Sequence, residues 1–272
     1  MNAITKEVAI AVDALRQKKP LTHCITNYVT VNDVANALLA IGASPIMADE
    51  IGEAEDITAI SAALVLNIGT LNQRTIASIH AAGRRANSLG IPVVFDPVGA
   101  GASRLRNETT QSILDGVKIA IIRGNLSEIS FVAGLGASTK GVDAAEADEH
   151  NDAAQVAKAV ARKYGCVAAI TGAIDSLSDG ARTVRIENGH PMLSRVTGTG
   201  CMTSALSGAF AGAGGDMLTA AVGGVAAMGI AGEMAFEAAG KTGTGSFHIA
   251  ILDALSRLDG TILLERAKIH ET

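Results

Sequence analysis

Short apolar runs recur along this chain and alternate with amphipathic stretches. Four of the runs end in polar residues, glycine or proline, which is typical of buried parallel strands: 64–68, 93–95, 119–122 and 167–170. Between the first two runs, Ile76, Ile79 and Ala86 share one helical face, and Gly90 ends that helix. This alternation of strands and helices predicts an α/β fold.

The rhythm changes after Thr171. The dipeptides Asp179-Gly180 and Asn188-Gly189 suit the positive φ angles of tight hairpin turns. We therefore expect an antiparallel meander at one edge of a mostly parallel sheet. Residues 198–240 are rich in alanine and glycine, which predicts long helices that pack closely through small side chains.

Composition limits the partners and the location of the protein. With 272 residues, 48% of them hydrophobic, we expect one large core and a single domain over residues 1–272. The net charge of -5, with no cluster of lysine and arginine, argues against nucleic acid and membrane partners. The three cysteines, Cys24, Cys166 and Cys201, lie far apart and predict neither disulfides nor a zinc site, so we expect a cytoplasmic protein. The uncharged stretch 196–215 is interpreted as a buried helix, because glycine, serine and threonine dilute its hydrophobicity.

The most informative motif is VTGTGCMTSALSGAF at 196–210, in which Gly198 and Gly200 precede an apolar helix. Backbone N–H groups at a helix N-terminus can face an anion, and glycine lets the main chain approach it closely. These amides and the helix dipole would stabilise negative charge that develops during phosphoryl transfer. Tight helix packing is the alternative explanation for the two glycines.

A second glycine pair lies in DPVGAGASR at 96–104, directly after the predicted strand 93–95. Open α/β sheets bind ligands at the carboxyl ends of their strands, so this loop is placed to line a site. It is not the nicotinamide fingerprint, because Pro97 intervenes and the third glycine is missing. The phosphate-binding loop of Walker type is also absent, since no Gly-Lys-Ser/Thr ends a glycine-rich loop after a strand.

The third motif is RGNLSE at 123–128, again at a predicted strand end. Asn125 and Glu128 are three residues apart, so both can face one side, and their oxygens suit a water-coordinated magnesium ion. The alternative is a helix start in which Asn125 is the N-cap and Glu128 completes a capping box. Arg123 favours phosphate binding, because a guanidinium matches phosphate oxygens in a bidentate manner.

Taken together with THCITNYVTVNDVAN at 22–36 and GASPIM at 42–47, these motifs resemble the hydroxyethylthiazole kinases of the ribokinase-like superfamily over nearly the whole chain. The resemblance implies a three-layer α/β/α fold with a mostly parallel sheet, an antiparallel edge and no separate lid domain. It also implies ATP-dependent phosphorylation of 4-methyl-5-(2-hydroxyethyl)thiazole in thiamine synthesis or salvage.

The resemblance further implies a homotrimer whose thiazole pocket lies between two subunits. The matching substrate positions here are Asn27, Met47 and Gly198, with Cys201 beside them. Gly198 and Gly200 would form the anion hole. Sugar kinases of the superfamily carry an aspartate as general base where this chain has Cys201.

By the same resemblance, ATP would bind the residues matching Arg123 and Thr171. Mg²⁺ would be held, partly through water, by Asn125, Glu128 and Asp96.

The sequence leaves two questions open: the role of Cys201 and the choice between alternative functions. Cys201 could accept the substrate proton, because a thiol at a helix N-terminus ionises more readily, or it could have a mainly positional role, which we favour. His23 is interpreted as a structural hydrogen-bonding residue. The alternative functions are phosphorylation of a hydroxymethylpyrimidine-type alcohol and nucleotide binding without catalysis.

Overall fold

The computed structural model describes residues 2–135 and 146–271. Its strands are β1 (Leu21–Ile25), β2 (Ser44–Ile46), β3 (Ala63–Asn67), β4 (Val93–Asp96), β5 (Ile121–Gly124), β6 (Val167–Ile170), β7 (Asp175–Ser178), β8 (Thr183–Ile186) and β9 (Ile269–Glu271). Its α-helices are α1 (Ala3–Lys18), α2 (Val31–Ile41), α3 (Ala54–Ala59), α4 (Gln73–Leu89), α5 (Arg104–Gly116), α6 (Leu126–Ala133), α7 (Glu146–Tyr164), α8 (Thr199–Ala213), α9 (Met217–Ala239), α10 (Thr244–Arg257) and α11 (Gly260–Arg266).

The strands form one nine-stranded sheet in the order β2-β1-β3-β4-β5-β6-β7-β8-β9. Strands β1 to β6 are parallel, and β6 to β9 pair antiparallel. The predicted mostly parallel sheet with an antiparallel edge is confirmed. Because the chain runs from β1 outward to β2 and then returns past β1 to β3, the strand order reverses at β1. Ligands of open α/β sheets bind at the carboxyl ends of strands near such a point.

Helices cover both faces of the sheet, and side chains alternate between them along each strand. In β4, Val94 packs into the core beneath α1, α2 and α8 to α11, whereas Phe95 packs into the core beneath α4 to α7. In β5, Ile121 and Ile122 divide in the same way. The expected three-layer α/β/α architecture is confirmed.

Small residues bring α8 and α9 together, as the composition predicts. A Cβ atom on Gly224 would overlap Ser207, and one on Gly208 would overlap Val65 of the sheet. The predicted buried helix within 196–215 is confirmed as α8, whose residues from Met202 onward are largely buried. Helix α9 is long and apolar enough to cross a membrane, but 83% of its apolar window is buried inside the protein, as expected of a core helix.

One of the two predicted hairpins is wrong. Asp179-Gly180 does connect β7 to β8, and Gly180 has a φ of +93°. Asn188-Gly189 makes no hairpin, because β8 pairs instead with β9 from the end of the chain. The buried Asn188 side chain accepts a hydrogen bond from the Lys268 amide at 2.7 Å and donates to the Arg266 carbonyl at 2.9 Å. These bonds tie the dipeptide to a distant segment, and a 3-10 helix, Pro191–Arg195, follows it.

Candidate active site

Polar residues lie at or just beyond the carboxyl ends of neighbouring parallel strands. Asn27 follows β1, Asn67 ends β3, Asp96 ends β4, and Thr171 follows β6. Asn67 and Asp96 are register partners in the sheet. Since parallel strands end at a common edge, residues from four separate segments meet beside the N-terminus of α8.

The N-terminus of α8 begins at Gly198, whose φ of +89° lies in the left-handed region. Only glycine adopts this conformation readily, and a Cβ atom here would also lie 3.0 Å from Thr30 Cγ2. Among the described residues, no side chain caps this helix at Gly198. The first amides of α8 therefore keep their hydrogen-bonding capacity for a ligand.

Arg123, on β5, connects two of the strand ends. Its Nη2 donates to Thr171 Oγ1, and its Nη1 lies 3.6 Å from Asp96 Oδ2. Its Nε is buried without a hydrogen-bond partner in the described part of the chain. Arg123 and Thr171, which the family resemblance assigns to ATP, are thus in direct contact.

A cleft of about 540 Å³ opens beside this pair. Its lining includes Arg123, Thr171 and the α8 residues Thr199 and Gly200. It is also lined by the 188–191 segment and by apolar side chains of α9, among them Val225 and Met228. Apolar lining with a small number of polar groups is typical of small-molecule pockets.

Cys201 lies on the other side of the α8 N-terminus, where two side-chain amides converge on its sulfur. Asn27 Nδ2 donates to Sγ at 3.1 Å, and Asn67 Nδ2 donates to Sγ at 3.4 Å. The two amides are also bonded to each other, from Asn27 Nδ2 to Asn67 Oδ1 at 3.2 Å. The structure therefore brings the predicted residues Asn27, Cys201 and Gly198 together.

Asp96 is fully buried at the end of β4. Its Oδ2 accepts hydrogen bonds from Ser204 Oγ at 2.6 Å and from Asn67 Nδ2 at 3.2 Å. Loss of hydration raises the pKa of Asp96 to about 6, although the charge of Arg123 and the Ser204 hydrogen bond oppose this rise. Within the described residues, its Oδ1 has no hydrogen-bond partner.

Asn125 and Glu128 form the capping box that the sequence offered as an alternative. Asn125 Oδ1 accepts from the Glu128 amide at 2.9 Å, and Glu128 Oε2 accepts from the Asn125 amide at 2.8 Å. Glu128 Oε1 accepts from the Gly99 amide at 2.8 Å, which ties the glycine loop after β4 to α6. The box occupies one acceptor position on each oxygen and leaves others available for water.

The side-chain oxygens of Asp96, Asn125 and Glu128 fit a magnesium ion that keeps most of its water. Asp96 Oδ1 is a buried carboxylate oxygen that lacks a hydrogen-bond partner among the described residues. Glu128 is close enough for its negative charge to contribute to the raised pKa of Asp96. The described part of the chain contains no cluster of three or more ligating side chains that would form an all-protein metal cage. Magnesium is typically held by one or two carboxylates together with water and substrate phosphates.

Met47 lies one residue beyond β2, at the outer edge of the sheet. It is half-buried and packs against the same hydrophobic core as Cys201. Among the described residues that line the 540 Å³ cleft, Met47 does not appear.

His23 is buried within β1, and both ring nitrogens are engaged. Nε2 lies 2.7 Å from the Ala48 carbonyl, and Nδ1 lies 2.9 Å from Thr58 Oγ1. Loss of hydration lowers the pKa of His23, so the neutral imidazole is favoured. This geometry agrees with the structural role expected from the sequence.

Three polar residues at the site were not found by sequence reasoning. Asn67 and Ser204 contact Asp96, and Asp175 lines the cleft, where its Oδ1 accepts from the Gly172 amide at 3.0 Å. Loss of hydration raises the pKa of Asp175 to about 7. Asn67 did carry a signal, because it is a polar residue at the end of the apolar run 64–68.

Solved kinase structures share this fold. The pyridoxal kinase from Staphylococcus aureus in complex with ADP superposes with a TM-score of 0.63 at 14% identity, over 79% of this chain and 88% of that one. At such low identity the likeness concerns the fold alone. It shows that the chain has the same ribokinase-like fold.

More similar proteins define the family. The structure of hydroxyethylthiazole kinase protein from Pyrococcus horikoshii OT3 superposes with a TM-score of 0.90 at 40% identity, over 98% of this chain and 99% of that one. Hydroxyethylthiazole kinase from Ruminiclostridium cellulolyticum is 64% identical over 272 residues, which is 100% of both chains. The one from Methanocella arvoryzae is 46% identical over 256 residues, which is 94% of this chain and 95% of that protein.

The model of the hydroxyethylthiazole kinase family matches residues 12–261. The chain belongs to this family, and it is an enzyme, a phosphotransferase.

Proposed function

We propose that this enzyme transfers the γ-phosphoryl group of ATP to the hydroxyl of 4-methyl-5-(2-hydroxyethyl)thiazole, in thiamine synthesis or salvage. One observation carries the proposal: two consecutive residues of α8 face two different half-sites, the cleft beside Arg123 and the group of side chains around Cys201. Gly200 lines the cleft with Arg123 and Thr171, and Cys201 is bonded to Asn27 on the other side. A phosphoryl group that passes between the half-sites would cross the α8 N-terminus.

The cleft residues support ATP as the phosphoryl donor. Arg123 and Thr171 would contact the phosphate groups, and the apolar side chains of Val225 and Met228 would receive the base. A guanidinium at the phosphate end fits a polyanion better than an ammonium, because its planar fork can bond two oxygens at once.

The α8 N-terminus supports the assignment of Gly198 and Gly200 to an anion hole. The amides of Thr199, Gly200 and Cys201 start the helix, and the helix dipole adds partial positive charge there. Charge on the transferred phosphoryl group would be stabilised by these fixed dipoles without any rearrangement of the protein. The Arg123 guanidinium lies beside the α8 N-terminus and would add a full positive charge there.

Asp96, Asn125 and Glu128 are the residues that we assign to magnesium. When bound, the ion offsets charge on the phosphates and helps to orient them. Asp96 would contribute its unpartnered Oδ1, whereas Asn125 and Glu128, which are engaged in the capping box, would act through water.

Cys201 would lie next to the substrate hydroxyl. Its sulfur accepts hydrogen bonds from Asn27 and Asn67. We assign it mainly to positioning, because phosphoryl transfer through a loose transition state needs little early removal of the hydroxyl proton.

The thiazole pocket is proposed to lie between subunits of a homotrimer, with Asn27, Met47 and Gly198 on one side. Strand β2 is an outer strand of the sheet, and its three residues are all half-buried in the isolated chain. Large apolar side chains are exposed just before α2, on α2, which packs on β2, and on α10, which packs on α2: Tyr28 (77%), Val29 (56%), Leu39 (59%) and Ile249 (58%). Sedimentation equilibrium tests this part, because a monomeric mass at micromolar concentration contradicts it.

The proposal also takes residues 1–272 as a single kinase domain without a lid and places the enzyme in the cytoplasm. All three cysteines are free thiols, which fits a reducing compartment.

The test is product analysis by mass spectrometry. The purified protein is incubated with ATP and magnesium and, in parallel, with hydroxyethylthiazole or hydroxymethylpyrimidine. We expect a thiazole phosphate in strong preference to a pyrimidine phosphate. Pyrimidine preference would reassign the pocket, and nucleotide binding without product from either alcohol would identify a catalytically silent protein.

A further inference from the structure

Asn67 is buried, with 5% of its surface exposed, and its side chain makes four hydrogen bonds. Oδ1 accepts from the Gly69 amide at 2.8 Å and from Asn27 Nδ2 at 3.2 Å. Nδ2 donates to Asp96 Oδ2 at 3.2 Å and to Cys201 Sγ at 3.4 Å. Because a backbone amide can only donate, the bond from Gly69 fixes which end of the Asn67 amide is oxygen.

The same reasoning fixes the orientation of Asn27. Its Oδ1 accepts from the Thr30 amide at 3.2 Å and from the Thr30 hydroxyl at 3.1 Å, so its Nδ2 must face Asn67 and Cys201. Gly69 leaves room for this arrangement, since a Cβ atom on it would lie 2.8 Å from Asn27 Nδ2. Two main-chain amides thus set the direction of two side-chain amides, and both point N–H groups at one sulfur.

We propose that Asn67 is a positioning residue for phosphoryl transfer. It fixes the positions of the Cys201 sulfur and the Asn27 amide relative to the Asp96 carboxylate. The inference rests on the proposed function for its kinetic consequences. Three of the four partners of Asn67 are side chains of the candidate site, whereas an asparagine with a purely structural role would mainly satisfy main-chain groups. Asn67 is placed to set the distance between the residues proposed to bind the alcohol, Asn27 and Cys201, and Asp96, which is assigned to the magnesium and phosphate groups.

The kinetic test is a double-mutant cycle with Asn67→Leu, Cys201→Ala and the combined variant. Leucine has the same branching at Cγ but is larger and makes none of the four hydrogen bonds. We expect Asn67→Leu to lower kcat about 10- to 100-fold, as expected for small misplacement of reacting groups, with the KM for ATP changed less than about 3-fold. In the Cys201→Ala background the loss should be at least about 3-fold smaller, because part of the effect acts through the sulfur.

Two further variants control for stability. Asn67→Ser keeps an acceptor for the Gly69 amide but is too short to reach Cys201, and we expect it to show the same kinetic loss if Asn67→Leu fails to fold. Asn87→Leu is the matched control. The Asn87 side chain bridges α4 to Lys118, with hydrogen bonds of 2.9 and 2.7 Å, near the amino ends of the strands. The Asn87→Leu variant should have a lower melting temperature and an unchanged kcat. Equal losses for Asn67→Leu in both Cys201 backgrounds, or no loss, would overturn the proposal.

A crystal structure of Asn67→Leu gives a result that does not depend on turnover. We expect the Asn27 amide and the Cys201 side chain to move so that their 3.1 Å contact is lost or lengthened. Unchanged positions of both side chains would overturn the positioning role even if the thiazole alcohol is the substrate. Displaced side chains in a protein that does not phosphorylate this alcohol would instead retain the positioning role and refute the proposed substrate.

Discussion

Gly200 on α8 lies directly against the guanidinium of Arg123 on β5. A Cβ atom built on Gly200 would come within 2.7 Å of Nη1 and 3.3 Å of Nη2. Because Gly200 has no side chain, the helix N-terminus and the guanidinium can face the same volume. Partial positive charge from the helix and the full charge of Arg123 therefore act on a single bound anion.

The first prediction follows from this contact. Gly200→Ala should displace the Arg123 guanidinium, since its Nη1 would otherwise lie far inside the contact distance of a methyl group. We expect kcat/KM for ATP to fall about 10- to 100-fold in steady-state kinetics, in line with loss of well-placed charge stabilisation. Gly245→Ala is the matched control, because Gly245 is also helical and has nothing within 4 Å of a built Cβ. The control should change stability by less than about 1 kcal/mol and leave kcat unchanged.

The second prediction concerns Cys201. If its role is mainly positional, Cys201→Ala retains a substantial fraction of wild-type turnover. A fall in kcat approaching the roughly 100- to 10,000-fold typical of general acid-base catalysis would instead identify Cys201 as the base. Cys201→Asp is the informative companion, because a carboxylate could accept the N–H groups of Asn27 and Asn67 and act as a base. Cys166→Ala, at a buried cysteine outside the site, controls for loss of a thiol.

The third prediction is a pH-dependent gain in stability for Asp175→Asn. Loss of hydration raises the pKa of Asp175 from 3.8 to about 7, so the folded protein binds its proton more tightly than the unfolded chain. The contribution of Asp175 to stability therefore falls as pH rises between those values. We expect the variant to unfold at a higher temperature than the wild type at pH 8, with a smaller difference at pH 5. Its amide oxygen can keep the bond from Gly172. A variant that is less stable than the wild type at pH 8 would contradict this account.

The fourth prediction concerns acid stability and His23. Its pKa is lowered from 6.5 by burial, so the unfolded chain takes up the proton first. The neutral ring supports the fold above about pH 6.5, and this support is lost as pH falls below that value. Urea unfolding between pH 7.5 and 5.5 should show a steeper loss of stability for the wild type than for His23→Gln. A slope for His23→Gln equal to that of the wild type would contradict this account.

Much of the sheet could be predicted from local pattern. The runs 93–95 and 167–170 lie within or coincide with β4 and β6, and the run 64–68 is offset by one residue from β3. These strands are buried on both faces, so their apolar character is continuous and easy to recognise. Asn188-Gly189 shows where local pattern fails, because the dipeptide permits a turn but a segment nearly 80 residues later decides its structure.

The site divides in the same way. By itself, the sequence determined which glycines and polar residues stand at strand ends and at the α8 N-terminus, because backbone conformation and strand polarity are local properties. Only the tertiary structure decided which of them touch. The contact of Gly200 with Arg123, the joint hold of Asn27 and Asn67 on Cys201, and the burial of Asp96 depend on strand order and on the packing of α8 across the sheet. Packing joins residues that are far apart in the chain, and no short-range pattern encodes those distances.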